Sequence, residues 1–178
     1  YALILTDAQV LHEHRPHVGV RALLRQLNVR VFLVACFFMS VAHGAYYVSY
    51  SIHLDAHAYS KLAVGGLWAL GVLAEIGVFM IMGRLSRRLP LRSIMLFCFA
   101  AAVLRFALIG WLAESWAVMV FAQLLHGLTF GAYHASAIAA INHWFQGATQ
   151  ARGQALYSSL TFGAGGLLGA LISGKTWD

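Results

Sequence analysis

The stretch WALGVLAEIGVFMIMG at residues 68–83 decides the class of fold. It has the composition of a continuous apolar helix, yet it carries one carboxylate, Glu75, in its middle. On a soluble helix Glu75 would be an ordinary surface residue, whereas a charge at the centre of a bilayer costs about 2.5–3.5 kcal/mol on insertion scales. The composition separates the two cases, because the chain is 61% hydrophobic and only 10% charged, against about 25% charged residues in soluble domains. The sequence therefore predicts an all-α integral membrane protein.

Apolar stretches on both sides of this segment extend the prediction to a polytopic helical bundle. A bilayer core of about 30 Å requires about 20 apolar residues in a helix. Five segments satisfy this requirement, at residues 29–52, 62–83, 93–111, 116–141 and 154–173. We refer to them as the first to the fifth span. The predicted transmembrane bundle thus occupies residues 29–178, and its odd number of spans favours part of a larger protein.

Residues 1–28 differ from the rest of the chain, since they mix arginines with histidine, glutamine and asparagine. This composition predicts a polar connector with an amphipathic lead-in to the first span. Its opening YALILT is consistent with the end of a preceding span.

The positive charges indicate orientation rather than a nucleic-acid partner. The net charge is +6, and most basic residues lie either in the connector or in the loop at residues 84–92. The alternate loops contain Lys61 opposed by Asp55, and Glu114 with no base at all. Because basic loops remain in the cytoplasm, we predict that the chain begins on the cytoplasmic side and that no nucleic acid is bound.

Four ionisable side chains lie deep in the apolar segments: Glu75, Arg105, His43 and His126. At a rise of about 1.5 Å per residue, Glu75 lies about 12 Å, Arg105 about 18 Å and His126 about 22 Å from the cytoplasmic end of its span. They can therefore meet near the membrane centre if their helices are neighbours. Intramembrane ionisable residues are functional candidates by default, and a purely structural Glu75–Arg105 ion pair is the alternative.

Polar side chains at helical spacing predict a hydrated cavity. Lipid cannot solvate such faces, and transporters turn them toward a shared substrate cavity. The alternative is that these groups only join helices to one another. The residues predicted to line the cavity are Tyr46, Tyr47, Tyr50, Gln123, Tyr133 and Tyr157.

Five strings of residues, in matching order, resemble the C-terminal half of major facilitator superfamily transporters. The resemblance is to the branch of phenylpropionate permease-like proteins, which is related to lactose permease, and it covers roughly helices seven to eleven of twelve. The strings are HGAYYVSYSIHL (43–54), WALGVLAEIGVF (68–79), LRFALIGW (104–111), QLLHGLTFGAYHA (123–135) and GQALYSSLTFGAGGLLG (153–169). The loop GRLSRRLPLR (83–92) departs from the superfamily pattern, because Arg87 stands in place of an Asp and Pro90 in place of a Gly.

The resemblance implies alternating access by two helix bundles, one of which would be a six-helix N-terminal bundle absent from this chain. It places Glu75, Arg105 and His126 on the helices that carry the proton-coupling and substrate groups of lactose-type proton symporters, with His43 added here as a further candidate. A second carboxylate on the fourth span, present in the lactose permease, is missing. We expect a multi-pass protein of the bacterial inner membrane that carries a small organic solute, an aromatic acid being favoured, together with protons. No enzyme activity, cofactor or metal is expected.

Two alternatives remain open. The first is an uncoupled facilitator in which Glu75 and Arg105 form a static pair. The second is a membrane-embedded metal protein that uses His43, His126 and His134, although these histidines lack ligand spacing on a common face.

Overall fold

A computed structural model describes residues 19–176 of the chain. Most of the predicted connector therefore lies outside the described residues, and no strand occurs between residues 19 and 176. The helices are α1 (Val20–Arg25), α2 (Leu27–Ala56), α3 (Lys61–Arg88), α4 (Leu91–Trp111), α5 (Trp116–His126), α6 (Tyr133–Trp144), α7 (Gln150–Ser158) and α8 (Gly166–Thr176). A π-helical segment, Gly127–Ala132, joins α5 to α6, a second one, Ser159–Gly165, joins α7 to α8, and a 3₁₀ turn, Gly147–Thr149, precedes α7.

Within residues 19–176, five helical stretches are long and apolar enough to cross a membrane, which confirms the predicted all-α membrane fold. The first three spans are α2, α3 and α4, the fourth is Trp116–Trp144 and the fifth is Gly147–Thr176. Most begin or end a few residues beyond the predicted bounds, because a helix continues into the polar flanks where the apolar composition already stops. Residue chemistry fixes some of these ends: the Ser60 side chain accepts a hydrogen bond from the Ala63 N–H at 3.2 Å and so caps α3.

The spans pack in two groups. α2 lies against the fifth span, while α3 and α4 lie against the fourth. The contact of α2 with α8 is so close that a side chain at Gly169 would meet the Val41 carbonyl oxygen, and one at Gly44 would meet the Gly166 carbonyl oxygen. Small residues allow such close backbone approach in membrane bundles.

The interior has an apolar part at each end and a polar layer between them. One apolar cluster includes Cys36 and Ile141, and the other includes Leu54 and Met119. Along α2, α4 and the fourth span, the buried polar side chains other than Ser136 fall between these two clusters. The polar layer therefore lies near the middle of the spans, where the sequence places its ionisable residues.

Candidate functional site

A short contact between two ionisable side chains joins the second span to the fourth. Glu75 Oε1 of α3 lies 2.7 Å from His126 Nε2 at the end of α5, with side chains 16% and 4% exposed. Glycine makes this distance possible, because a Cβ at Gly127 would stand 2.6 Å from the Ala74 carbonyl oxygen. Any other residue at this position would hold α3 farther from the fourth span.

Arg105 is completely buried and is bound to the fourth span rather than to Glu75. Its Nε donates to the Ala122 carbonyl at 3.0 Å, and its Nη1 donates to Thr129 Oγ1 at 3.4 Å. The guanidinium carbon also lies 4.3 Å from the centre of the Tyr46 ring, which is cation–π geometry. Within residues 19–176 no ion pair joins Arg105 to Glu75, which was the structural alternative considered above, and the carboxylate has the His126 imidazole as its partner.

Three residues predicted to line the cavity belong to this buried network. Gln123 Nε2 donates to Tyr46 Oη at 2.9 Å, and the ring of Tyr50 lies 4.7 Å from that of Tyr46. All three are buried, Tyr46 lies against Arg105, and none of the three lines the cavity described next. Helical spacing indicates that these residues lie on the polar sides of their helices. Spacing alone does not show whether such a side faces a water-filled space or other buried side chains.

A cavity of about 250 Å³ lies between α2, the fourth span and the fifth span. Four of the predicted site residues line it: His43, Tyr47, Tyr133 and Tyr157. Its wall is strongly aromatic, and a cavity of this kind suits a small ligand with an apolar ring.

Two further lining residues, Phe130 and His134, were not among the predicted site residues. The rings of His126 and Phe130 stack with centroids 5.5 Å apart, and those of Phe130 and His134 stack at 6.0 Å. His134 Nδ1 lies 3.4 Å from Tyr157 Oη. The sequence carried a signal for both residues, since His126, Phe130 and His134 follow one another at intervals of four. Side chains four residues apart are neighbours along a helix.

The π-helical segment Gly127–Ala132 changes which side chains share a face. Ordinary α-helical periodicity predicts Gln123, His126 and Tyr133 on one side of the fourth span. In the structure the first two face Tyr46 and Glu75, whereas Tyr133 lines the cavity and donates to the Cys36 carbonyl at 3.4 Å. A π turn adds a residue to the helical repeat and so rotates every later side chain.

His43 is common to the cavity and the buried network. It lines the cavity, and its ring centre lies 6.2 Å from that of His126. Its Nδ1 lies 2.9 Å from the Met39 carbonyl oxygen one turn earlier. The pair Glu75–His126 is therefore close to the cavity wall, with His43 between them.

This arrangement can bind and release a proton within the membrane. A carboxylate and an imidazole at hydrogen-bond distance can together hold zero, one or two protons as a coupled unit. Arg105 supplies a positive charge that cannot be removed by deprotonation. Among residues 19–176 no group of three or more histidine, cysteine or acidic side chains could hold a metal ion.

Comparison with known proteins identifies the relatives of this chain. Residues 5–178 match the family described as the MFS_1 like family. Over 143 residues, which make up 80% of this chain, it is 38% identical to the Probable 3-phenylpropionic acid transporter of Escherichia coli (strain K12), and the match covers 36% of that protein. No solved structure matches the chain significantly. Its phenylpropionate permease-like motifs and this match together show that the chain belongs to the MFS_1 like family of the major facilitator superfamily.

Proposed function

We propose that this chain is part of a secondary transporter that couples the uptake of a small aromatic carboxylic acid to proton entry by alternating access. The observation that carries the proposal is the 2.7 Å contact between Glu75 and His126 beside an aromatic cavity. An ionisable pair within membrane spans costs free energy, and proteins retain such pairs mainly where they serve a function. The remaining half of the transporter, a six-helix N-terminal bundle, would complete the cavity.

The coupling follows from the two spans that the pair connects. Glu75 belongs to the second span and His126 to the fourth, so a change in their proton content changes the attraction between these spans. With one proton shared, the contact is a charge-assisted hydrogen bond, and such bonds are about twice as strong as neutral ones. With both groups protonated or both deprotonated, the attraction is weaker. Protonation can thus favour one orientation of the bundle over the other, as alternating access requires.

Arg105 and His43 have supporting roles in this proposal. Arg105 keeps a positive charge within the same network, which opposes the addition of a second positive charge on His126. The same guanidinium adds an attraction for an anionic solute that enters the cavity. His43 forms the cavity wall next to the pair.

The solute class rests on the cavity and on the relative. Tyr47, Phe130 and Tyr157 offer ring faces within the cavity, and aromatic pairs prefer offset-stacked or edge-to-face packing. The relative is named for 3-phenylpropionic acid, which has such a ring and one carboxyl group. A bacterial inner-membrane location, with the N-terminal side of the chain in the cytoplasm, accords with the basic residues of the loops.

Substitution of Glu75 by Gln in the full-length protein tests the coupling. Gln keeps the shape of the side chain but cannot bind a proton, so Glu75→Gln should abolish proton-driven accumulation and preserve solute exchange down a gradient. Glu114→Gln is the matched control, because Glu114 lies exposed in the turn between the third and fourth spans. Undiminished accumulation by Glu75→Gln would remove this carboxylate from the coupling role.

An uncoupled facilitator is the second candidate. The close packing of α3 on the fourth span at Gly127 favours a static contact between Glu75 and His126. The two candidates differ in a simple measurement: a proton symporter alkalinises an unbuffered cell suspension when solute is added, whereas a facilitator leaves the external pH unchanged.

A further inference from the structure

Buried polar atoms without a partner concentrate around the Glu75–His126 pair. Among the described residues, the buried side-chain atoms that lack a hydrogen-bond partner are His43 Nε2, Tyr50 Oη, Arg105 Nη2, His126 Nδ1 and Ser136 Oγ. All but Ser136 belong to the network around this pair. Buried polar groups are nearly always hydrogen-bonded, and an internal water serves where no protein group reaches. The concentration of such atoms at one place therefore indicates a common ligand.

The chemistry of three of these atoms defines the ligand. The carbonyl of Met39 can only accept, so His43 Nδ1 at 2.9 Å carries the hydrogen, and Nε2 of the neutral ring is an acceptor. Arg105 Nη2 can only donate. His126 Nε2 is occupied by Glu75, which leaves Nδ1 for another partner. A water molecule is the smallest group that can donate to the first atom and accept from the second.

The spacing suits one such molecule. The ring centres of His43 and His126 are 6.2 Å apart, and at this separation two hydrogen bonds of about 2.7–3.2 Å in series through a water can bridge nitrogens of the two rings. His43 and Arg105 also flank the same Phe106 ring, each at 5.3 Å from its centroid. The three side chains thus lie around one cluster of aromatic rings, which includes Tyr46 and Phe106.

We propose that His43 Nε2, Arg105 Nη2 and His126 Nδ1 together bind one internal water, and that His43 is a positioning residue which orients it. The inference rests on the proposed function and assigns this site a role in coupling. When His126 is neutral, the water donates to Nδ1, which places the ring hydrogen on Nε2, toward Glu75. When a proton from the cavity adds to His126, the water turns and accepts from Nδ1–H. One water therefore satisfies both proton states of a buried imidazole.

The charged and titratable groups around His126 come from three elements. They are Glu75 of α3, Arg105 of α4, and His43 and Tyr46 of α2. Of these groups, only His43 offers an acceptor whose position is fixed by a hydrogen bond of the same ring to its own helix. Loss of His43 Nε2 would leave the water held by donors alone whenever His126 is protonated, without an orientation that serves His126.

Two substitutions at position 43 distinguish the role of Nε2 from the role of the rest of the His43 side chain. An Asn side chain can keep the local hydrogen bond to the Met39 carbonyl but has no group at the Nε2 position, whereas a Gln side chain reaches that position. In the full-length protein in proteoliposomes, we expect His43→Asn to lower the proton-driven accumulation ratio at least tenfold more than it lowers the exchange rate. His43→Gln should restore much of the difference. Equal behaviour of the two variants would overturn the inference.

A direct measurement on the unmodified protein does not depend on whether a variant folds. X-ray radiolysis generates hydroxyl radicals from bound water, and mass spectrometry then locates the oxidised side chains. Tyr46, 5% exposed, should be oxidised faster than Phe145, which is 0% exposed and lies in the cluster with Cys36 and Ile141. Equal and negligible oxidation of the two rings would refute the water site.

These outcomes are distinct from a failure of the proposed function. If solute addition causes no alkalinisation with the unmodified protein, the symport proposal fails first. If the unmodified protein couples solute to protons and His43→Asn couples equally well, the water site alone is wrong.

Discussion

At Gly127, the addition of a single methyl group should impair the proposed coupling of solute uptake to proton entry. A Cβ at this position would lie 2.6 Å from the Ala74 carbonyl oxygen and 2.8 Å from its carbonyl carbon. Both atoms belong to the backbone of α3, so a side-chain rotation cannot relieve the overlap. In Gly127→Ala, α3 must withdraw by about 0.8 Å, the difference between 2.6 Å and the 3.4 Å at which ordinary van der Waals contact begins.

The withdrawal acts directly on the contact between Glu75 and His126, because Glu75 follows Ala74 in α3. A shift of that size along the contact lengthens the 2.7 Å separation of Glu75 and His126 to about 3.5 Å, the outer limit of a hydrogen bond. Hydrogen bonds to charged groups contribute about 1.5–3 kcal/mol, which corresponds to roughly a ten- to hundredfold change in an equilibrium constant. Overpacking should also cost about 1–3 kcal/mol of stability.

Proton-driven accumulation in proteoliposomes and thermal unfolding in detergent measure the two effects. Gly131→Ala is the matched control: it lies one turn later in the same π-helical segment, and its Cβ would meet Glu75 Cα at 3.5 Å, an ordinary contact. We expect Gly127→Ala to lose at least tenfold in accumulation and to melt at a lower temperature, with Gly131→Ala close to the unmodified protein. Equal accumulation and equal melting temperatures in the two variants would refute the reasoning.

Three further outcomes follow from the packing, the buried charge and the orientation. Gly169→Ala should lower the melting temperature strongly, because its methyl group would meet a backbone carbonyl oxygen of α2, whereas Gly163→Ala, with open space at its Cβ, should not. Arg105→Lys should reduce the initial uptake rate tenfold or more, because an ammonium cannot reproduce both the Nε hydrogen bond and the planar contact with a tyrosine ring; an uptake rate within twofold of normal would contradict this. A membrane-impermeant thiol reagent added outside cells should label Glu114→Cys but not Ser86→Cys, and the reverse pattern would invert the predicted orientation.

The number and approximate positions of the spans were predictable because the bilayer itself imposes them. Any apolar stretch such as residues 68–83 must satisfy its backbone internally, and within lipid a single segment can do so only as a helix. The same reasoning identified Glu75, Arg105 and His126 as unusual, since each has a cost that depends only on its position in a span. The helix boundaries were less predictable, because α3 continues to Arg88 after its apolar composition has ended.

The sequence by itself determined that this chain is an all-α bundle with ionisable side chains at mid-membrane depth. Only the tertiary structure decided that His126, and not Arg105, is the partner of Glu75, and that Tyr46 faces a guanidinium and Gln123 faces Tyr46 instead of the cavity. The physical reason is rotation about the helix axis. Each residue turns the helix by about 100°, so the extra residue of the π-helical segment and the close approach at Gly127 determine which side chains meet. Hydropathy fixes how deep a residue lies in the membrane, but not the direction in which its side chain points.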